Sequence, residues 1–156
     1  MRRKAKGIRA ERELLDIFWS GGLATLRVAG SGSTGHPSTD LIAAVGGRIF
    51  VIEVKTTSKD YVYIRKEEVD SLNRLSSMMG AESWVAIKFS KERGKFFLVR
   101  LKDARITSAG AVIDIEIAKN KGIEARTFTS IATGKQKTLL GLEPPDPITD
   151  DPASRH

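Results

Sequence analysis

Asp40-Leu-Ile-Ala-Ala-Val45, Gly46-Gly47 and Arg48-Ile-Phe-Val-Ile-Glu-Val-Lys-Thr-Thr57 make up the stretch that decides the fold. Two strand-like runs flank a glycine pair, which predicts a two-residue hairpin turn because both central residues of that turn need positive φ. If Val45 pairs with Arg48, stepping outward along the two strands sets Asp40 opposite Glu53. Directly opposed side chains have Cβ atoms ~4.5–5.5 Å apart, within reach of one shared cation. Two ionised carboxylates held there without a counter-charge would destabilise the pair. Alternation along the second strand puts Glu53 and Lys55 on one face with Ile49 and Val51. An acid pair and a lysine therefore gather at one end of a hairpin. A plainer reading stays open, in which Lys55 neutralises Glu53 in a surface salt bridge and Asp40 caps a turn.

Upstream of the hairpin, Ile8, Leu14, Leu15 and Phe18 recur at helical steps, predicting a helix over 8–20 that Gly21-Gly22 ends. Extending that stripe backward by one turn lands on Glu11, either an acid aimed at the site or a glutamate favoured by the helix dipole. A strand follows over 23–29. The loop 30–39 (Gly-Ser-Gly-Ser-Thr-Gly-His-Pro-Ser-Thr) lacks the Lys-Ser/Thr ending of a phosphate-cradling loop. Downstream come an edge-like segment over 61–64 and a helix over 65–79, with Val69, Leu72, Leu75 and Met79 on one stripe and Gly80 as its stop. That stripe reads as core or subunit contact. Strands are expected over 83–89 and 95–101, and a short helix ending at Gly122.

Composition narrows the chemistry. The chain has 156 residues, 40% hydrophobic and 29% charged, enough for one self-sufficient core. No apolar run approaches the ~18 residues of a membrane span, and the basic N-terminus does not lead into a secretory signal. With no cysteine and only His36 and His156, thiol catalysis, cysteine zinc sites and multi-histidine sites drop out. Carboxylates, lysines and arginines remain. Net charge is +7, yet Glu143, Asp146, Asp150 and Asp151 against Arg155 leave the last fourteen residues at −3 and residues 1–142 at +10. Arg2, Arg3, Lys4, Lys6, Arg9 and Arg12 crowd the first twelve residues, with Glu11 the only acid among them. Such a block reads as a basic arm for phosphate backbones, or as a solvated terminus. The expected organisation is one domain over 1–142 with a basic N-terminal arm, then an acidic, proline-rich tail over 143–156 with the composition of disorder.

Two carboxylates, a lysine and a basic surface suit metal-dependent phosphodiester hydrolysis, the acids fixing Mg²⁺, with Mn²⁺ as a substitute, and the lysine stabilising hydroxide or phosphate. Four motifs in order, Ala10-Glu11-Arg12-Glu13-Leu14-Leu15, Arg27-Val28-Ala29-Gly30-Ser31-Gly32, Asp40-Leu41-Ile42-Ala43 and Ile52-Glu53-Val54-Lys55-Thr56, resemble the archaeal Holliday junction resolvases, members of the restriction-endonuclease-like nucleases. The likeness runs over about residues 1–105 and on towards 140.

The resemblance implies an α/β fold, a mixed β-sheet flanked by α-helices, and an endodeoxyribonuclease that resolves four-way DNA junctions by paired nicks in recombination and repair. It implies Glu11, Asp40 and Glu53 as metal-binding acids, Lys55 as the catalytic lysine, Ser31 in a catalytic or phosphate-contacting role, and Arg12 and Arg27 against phosphates, in a homodimer. The proline usual beside the aspartate is absent, since Ser38-Thr39 follow Pro37. Two other functions stay open: a related nuclease acting on flaps, ends or duplex sites, and a non-catalytic DNA-binding protein. The expected location is cytoplasmic, on the nucleoid. Gln136 to Leu142 resembles the start of a sliding-clamp docking peptide, although Leu142 and Glu143 stand where paired aromatics normally follow. Packing of Leu139, Leu140 and Leu142 on their own domain is the alternative.

Overall fold

The structure, a computed structural model, describes residues 2–30 and 34–135. Ser31, the segment from Gln136 to Leu142 and the acidic tail lie outside the described residues. The elements follow in the order α1 (Arg2–Ser20), β1 (Ala24–Arg27), β2 (Leu41–Val45), β3 (Arg48–Thr57), β4 (Tyr61–Arg65), α2 (Lys66–Met79), β5 (Glu82–Phe89), β6 (Phe96–Arg100), β7 (Arg105–Thr107), β8 (Gly110–Asp114), α3 (Ile115–Lys121), β9 (Ile123–Glu124) and α4 (Ala125–Ala132).

Six strands form one mixed sheet in the order β1-β2-β3-β5-β6-β9, in which only β3 and β5 run parallel. A parallel pair needs a long crossover, and β4 with α2 supplies it. The second sheet, β4-β8-β7, is antiparallel. The hairpin has the expected register, from Val45↔Arg48 to Leu41↔Ile52, with Gly46 and Gly47 both at positive φ (55° and 81°). Positive φ at both central residues gives a turn whose twist matches that of the flanking strands.

Alternation along the strands divides the core into two layers. Leu41, Ala43, Phe50, Ile52, Trp84 and Leu98 pack on one face against Ala10, Leu14 and Phe18 of α1 and Phe128 and Ile131 of α4. Phe128 is the hub: its ring lies 5.6 Å from Phe18, 5.1 Å from Phe50 and 5.0 Å from Trp84, centroid to centroid. On the other face Val51, Val85, Ile87 and Val99 pack with Leu72 of α2 and with Val62, Ile64 and Ile113 of the second sheet. Val69 and Leu75 join this layer, whereas Met79, expected on the same stripe, is exposed at the end of α2. Gly21 is required by close packing, because a Cβ there would overlap Thr129 of α4.

The first helix departs from the periodicity reading. It begins at Arg2 instead of residue 8, so the basic segment forms its opening turns and is not an extended arm. Arginine, lysine and alanine are strong helix formers, but these turns precede the stretch that packs on the sheet and so lack an apolar stripe. Strands β7 to β9 and α4 also went unseen, β7 and β9 because two or three residues are too few for a period to register. Among the described residues no helix is long and apolar enough to cross a membrane.

Candidate active site

Asp40 sits one residue before β2, where the antiparallel ladder has just ended. Its placement comes from three hydrogen bonds. The Asp40 carbonyl accepts the Val28 N–H at 2.9 Å, its carboxylate Oδ2 accepts the Val54 N–H at 2.8 Å, and the buried Thr39 hydroxyl donates to the Ile52 carbonyl at 2.8 Å. Thr39 thus anchors the loop in the absence of a proline beside the aspartate. Its role was invisible in sequence, where a threonine in a polar loop carries no distinguishing signal.

Glu53 lies on the α2-facing side of β3, continuing the row of Val51. Burial, the Asp40 charge and a hydrogen bond with Asp40 push its carboxyl up to about 9, against the pull of Lys55. Burial beside the Asp40 charge thus disfavours an ionised Glu53, as expected where two acids are crowded together. Lys55 Nζ is 3.9 Å from Glu53 Oε1 and donates to Glu68 Oε1 on α2 at 2.8 Å. Although burial raises the Glu68 carboxyl, Lys55 and Arg65 outweigh it and hold it below the ordinary carboxylate range. Glu68 was not singled out in sequence, since its approach to Lys55 depends on how α2 packs.

Glu11 approaches from α1, on the opposite face of the sheet. Arg27 Nε donates to Glu11 Oε2 at 2.8 Å, and both side chains are mostly buried. Burial and the nearby Asp40 raise the Glu11 carboxyl, with Arg27 opposing them. Asp40 is thus the electrostatic link between Glu11 and Glu53. The three acids share a neighbourhood without converging: among the described residues no group of three His, Cys, Asp or Glu side chains is arranged as a metal site. The Asp40–Glu53 pair does fit a hard cation, offering close carboxylate oxygens whose mutual repulsion a divalent ion would relieve.

A cleft of about 220 Å³ opens onto Glu53, walled by His36, Ser38, Thr39, Arg65, Glu68 and Ser71 among others. A larger hollow of about 620 Å³ lies at the amino end of β5 and the carboxyl end of β6, but the one acid lining it, Glu82, is bound to Arg48 at 2.7 Å. The smaller cleft carries Glu53 of the acid pair and Glu68, the partner of Lys55. Arg2, Arg3, Lys4, Lys6, Arg9 and Arg12 are all exposed along α1, and Arg27 is half-buried behind Glu11.

The chain matches the family model described as archaeal Holliday junction resolvase (hjc) over residues 2–138. It belongs to the archaeal Holliday junction resolvase family. Among the resolvase family's relatives of this chain is the crossover junction endodeoxyribonuclease Hjc of Methanocaldococcus jannaschii, 40% identical over 137 residues, 88% of this chain and 95% of that one. The protein of the same name from Archaeoglobus fulgidus is 36% identical over 124 residues, 76% of this chain and 91% of that one. The solved structure of A. fulgidus Hjc, a Holliday junction resolvase, covers 79% of this chain and 99% of its own, with a TM-score of 0.72 at 31% identity. The mixed sheet with its flanking helices is the restriction-endonuclease-like fold of the resolvase family.

Proposed function

We propose that this chain, by its family a crossover junction endodeoxyribonuclease, uses Mg²⁺, with Mn²⁺ as a substitute, to nick four-way DNA junctions. The observation that carries the metal site is the crowding of Asp40 and Glu53 at the end of a hairpin, with the Asp40 carboxylate bonded to the Val54 N–H and Lys55 Nζ 3.9 Å from Glu53. Asp40 and Glu53 would hold the cation, and Glu11 would add negative charge from the α1 side. A bound divalent ion lowers the pKa of a ligand water and neutralises charge developing on the phosphate.

The remaining work belongs to the chain's own side chains. Lys55 places a compact positive charge at the mouth of the acid pair, where it orients the attacking water or stabilises the phosphoryl oxygens. Hydrolysis adds the water oxygen to phosphorus and breaks one P–O ester bond. The exposed bases of α1 neutralise neighbouring phosphates, and Arg27 holds Glu11 in place while adding positive charge. Ser31, outside the described residues, would contact the phosphate from the loop before Asp40.

Recognition is by junction shape and backbone charge, so sequence preference is weak. Paired nicks on symmetry-related strands require two active sites at fixed separation, which a two-fold homodimer supplies. The protein would work in the cytoplasm on the nucleoid. Gln136 to Leu142 would dock weakly on a sliding clamp through Gln136 and Leu139. A peptide of residues 132–146 titrated against the clamp tests this, and no saturable binding at millimolar peptide retires it. The enzyme assignment is tested by comparing cleavage of four-way, flap and linear DNA with and without Mg²⁺. A related nuclease would cut flaps or ends as readily, and a non-catalytic binder would cut nothing.

A further inference from the structure

Lys55 lies between two carboxylates, and the nearer one is not its neighbour on β3. Its Nζ donates to Glu68 Oε1 at 2.8 Å, while Glu53 Oε1 is 3.9 Å away. The other Glu68 oxygen, Oε2, accepts the Arg65 backbone N–H at 2.9 Å, just before the first turn of α2. This is half of a capping box. A glutamate at the third helical position reaches back to the N-cap amide, but an arginine side chain has no acceptor with which to return the bond. One carboxylate therefore does two things at once: it satisfies an orphan amide at the helix start and fixes a lysine on the neighbouring sheet. Both side chains are largely buried, with Lys55 24% and Glu68 16% exposed. A lysine ammonium rides on a flexible four-carbon stem, and a reacting group must be held within about 0.5 Å of its productive place.

We propose that Glu68 is a positioning residue for the nuclease reaction, seating the Lys55 ammonium beside Asp40 and Glu53 and tying that seat to the start of α2. The inference rests on the reading of Lys55 as the lysine at the reaction centre. Its competitor is a purely structural Glu68 that only caps the helix. The two differ in one respect: a cap acts whether or not Lys55 is present, whereas a positioning role disappears with the lysine.

A double-mutant cycle on the full chain separates them. The readouts are the single-turnover cleavage rate on a four-way junction with enzyme in excess and Mg²⁺ present, junction affinity without metal, and melting temperature. Glu68→Gln keeps one oxygen for the Arg65 N–H but has no second acceptor for Lys55. It is expected to melt and bind DNA like the parent while cleaving about 10–100-fold more slowly, the usual cost of losing a group that orients a catalytic one. In the Lys55→Ala background the same change is expected to leave the rate unaltered. A parental rate in Glu68→Gln, or equal slowing in both backgrounds, overturns the positioning role while leaving the nuclease assignment intact. A parental rate in Lys55→Ala alone overturns the lysine's assignment, and this inference with it.

Discussion

The carboxylate of Asp40 accepts the backbone N–H of Val54 at 2.8 Å, so the acid before β2 is fastened to the residue that separates Glu53 from Lys55. Asp40 at the entry to β2 and two residues of β3 are locked into one unit by a single bond to the main chain. That unit is the acid pair and lysine to which the proposed chemistry is assigned.

Asp40→Asn and Glu53→Gln should each abolish Mg²⁺-dependent cleavage, by at least about 10²–10³-fold, because each removes a metal ligand. Junction affinity should stay level or rise, since each also removes a negative charge facing phosphate. Gel-shift titration alongside single-turnover cleavage checks both halves. Near-normal turnover in either variant would refute the metal assignment.

Metal-free stability should fall with rising pH through Glu53. Burial and Asp40 hold its folded carboxyl at about 9, whereas its ordinary value is 4.5. A folded protein that keeps a proton the unfolded chain has released is fully favoured by it below pH 4.5, and loses that advantage as pH climbs to 9. Glu53→Gln carries no titrating group there. Its melting temperature should therefore gain on the parent's between pH 5 and pH 9, by at least about 4 °C across that range. Parallel melting curves at the two pH values would show that Glu53 titrates normally.

Replacing Arg2, Arg3, Lys4 and Lys6 with glutamine should preserve α1 while weakening DNA binding and its salt dependence. For every phosphate that goes unneutralised, the slope of log K against log salt should shrink by roughly 0.9 on duplex arms. Unchanged slope would leave these turns as a solvated surface.

Gly21→Ala should destabilise the fold by about 1–3 kcal/mol, because its methyl would overlap Thr129 and push α4 off α1. The backbone at Gly21 is outside the positive-φ region, so the cost is steric. Adding Thr129→Gly should recover most of it in denaturant titrations, and a loss that persists would place the effect elsewhere.

The hairpin and the placement of Asp40, Glu53 and Lys55 were legible in sequence because Gly46-Gly47 admits one register and alternation then sorts the faces. The ladder stops at Leu41↔Ile52, one step short of the acids, which meet through side chains. Partners drawn from other elements could not be read. Glu11 bonds Arg27 because α1 packs over β1, and Lys55 bonds Glu68 because α2 packs on the opposite face. Neither bond leaves a local pattern. Phe128 escaped for a different reason: α4 is eight residues long, and its apolar side chains look like any short buried segment.

The most direct test of the account is single-turnover cleavage of a mobile four-way junction, a flap and a linear duplex by the full chain, with Mg²⁺ or with EDTA. Paired, symmetric nicks in the four-way junction alone, present with Mg²⁺ and absent with EDTA, are the result predicted. Equal cutting of all three substrates, or undiminished cutting in EDTA, would contradict it.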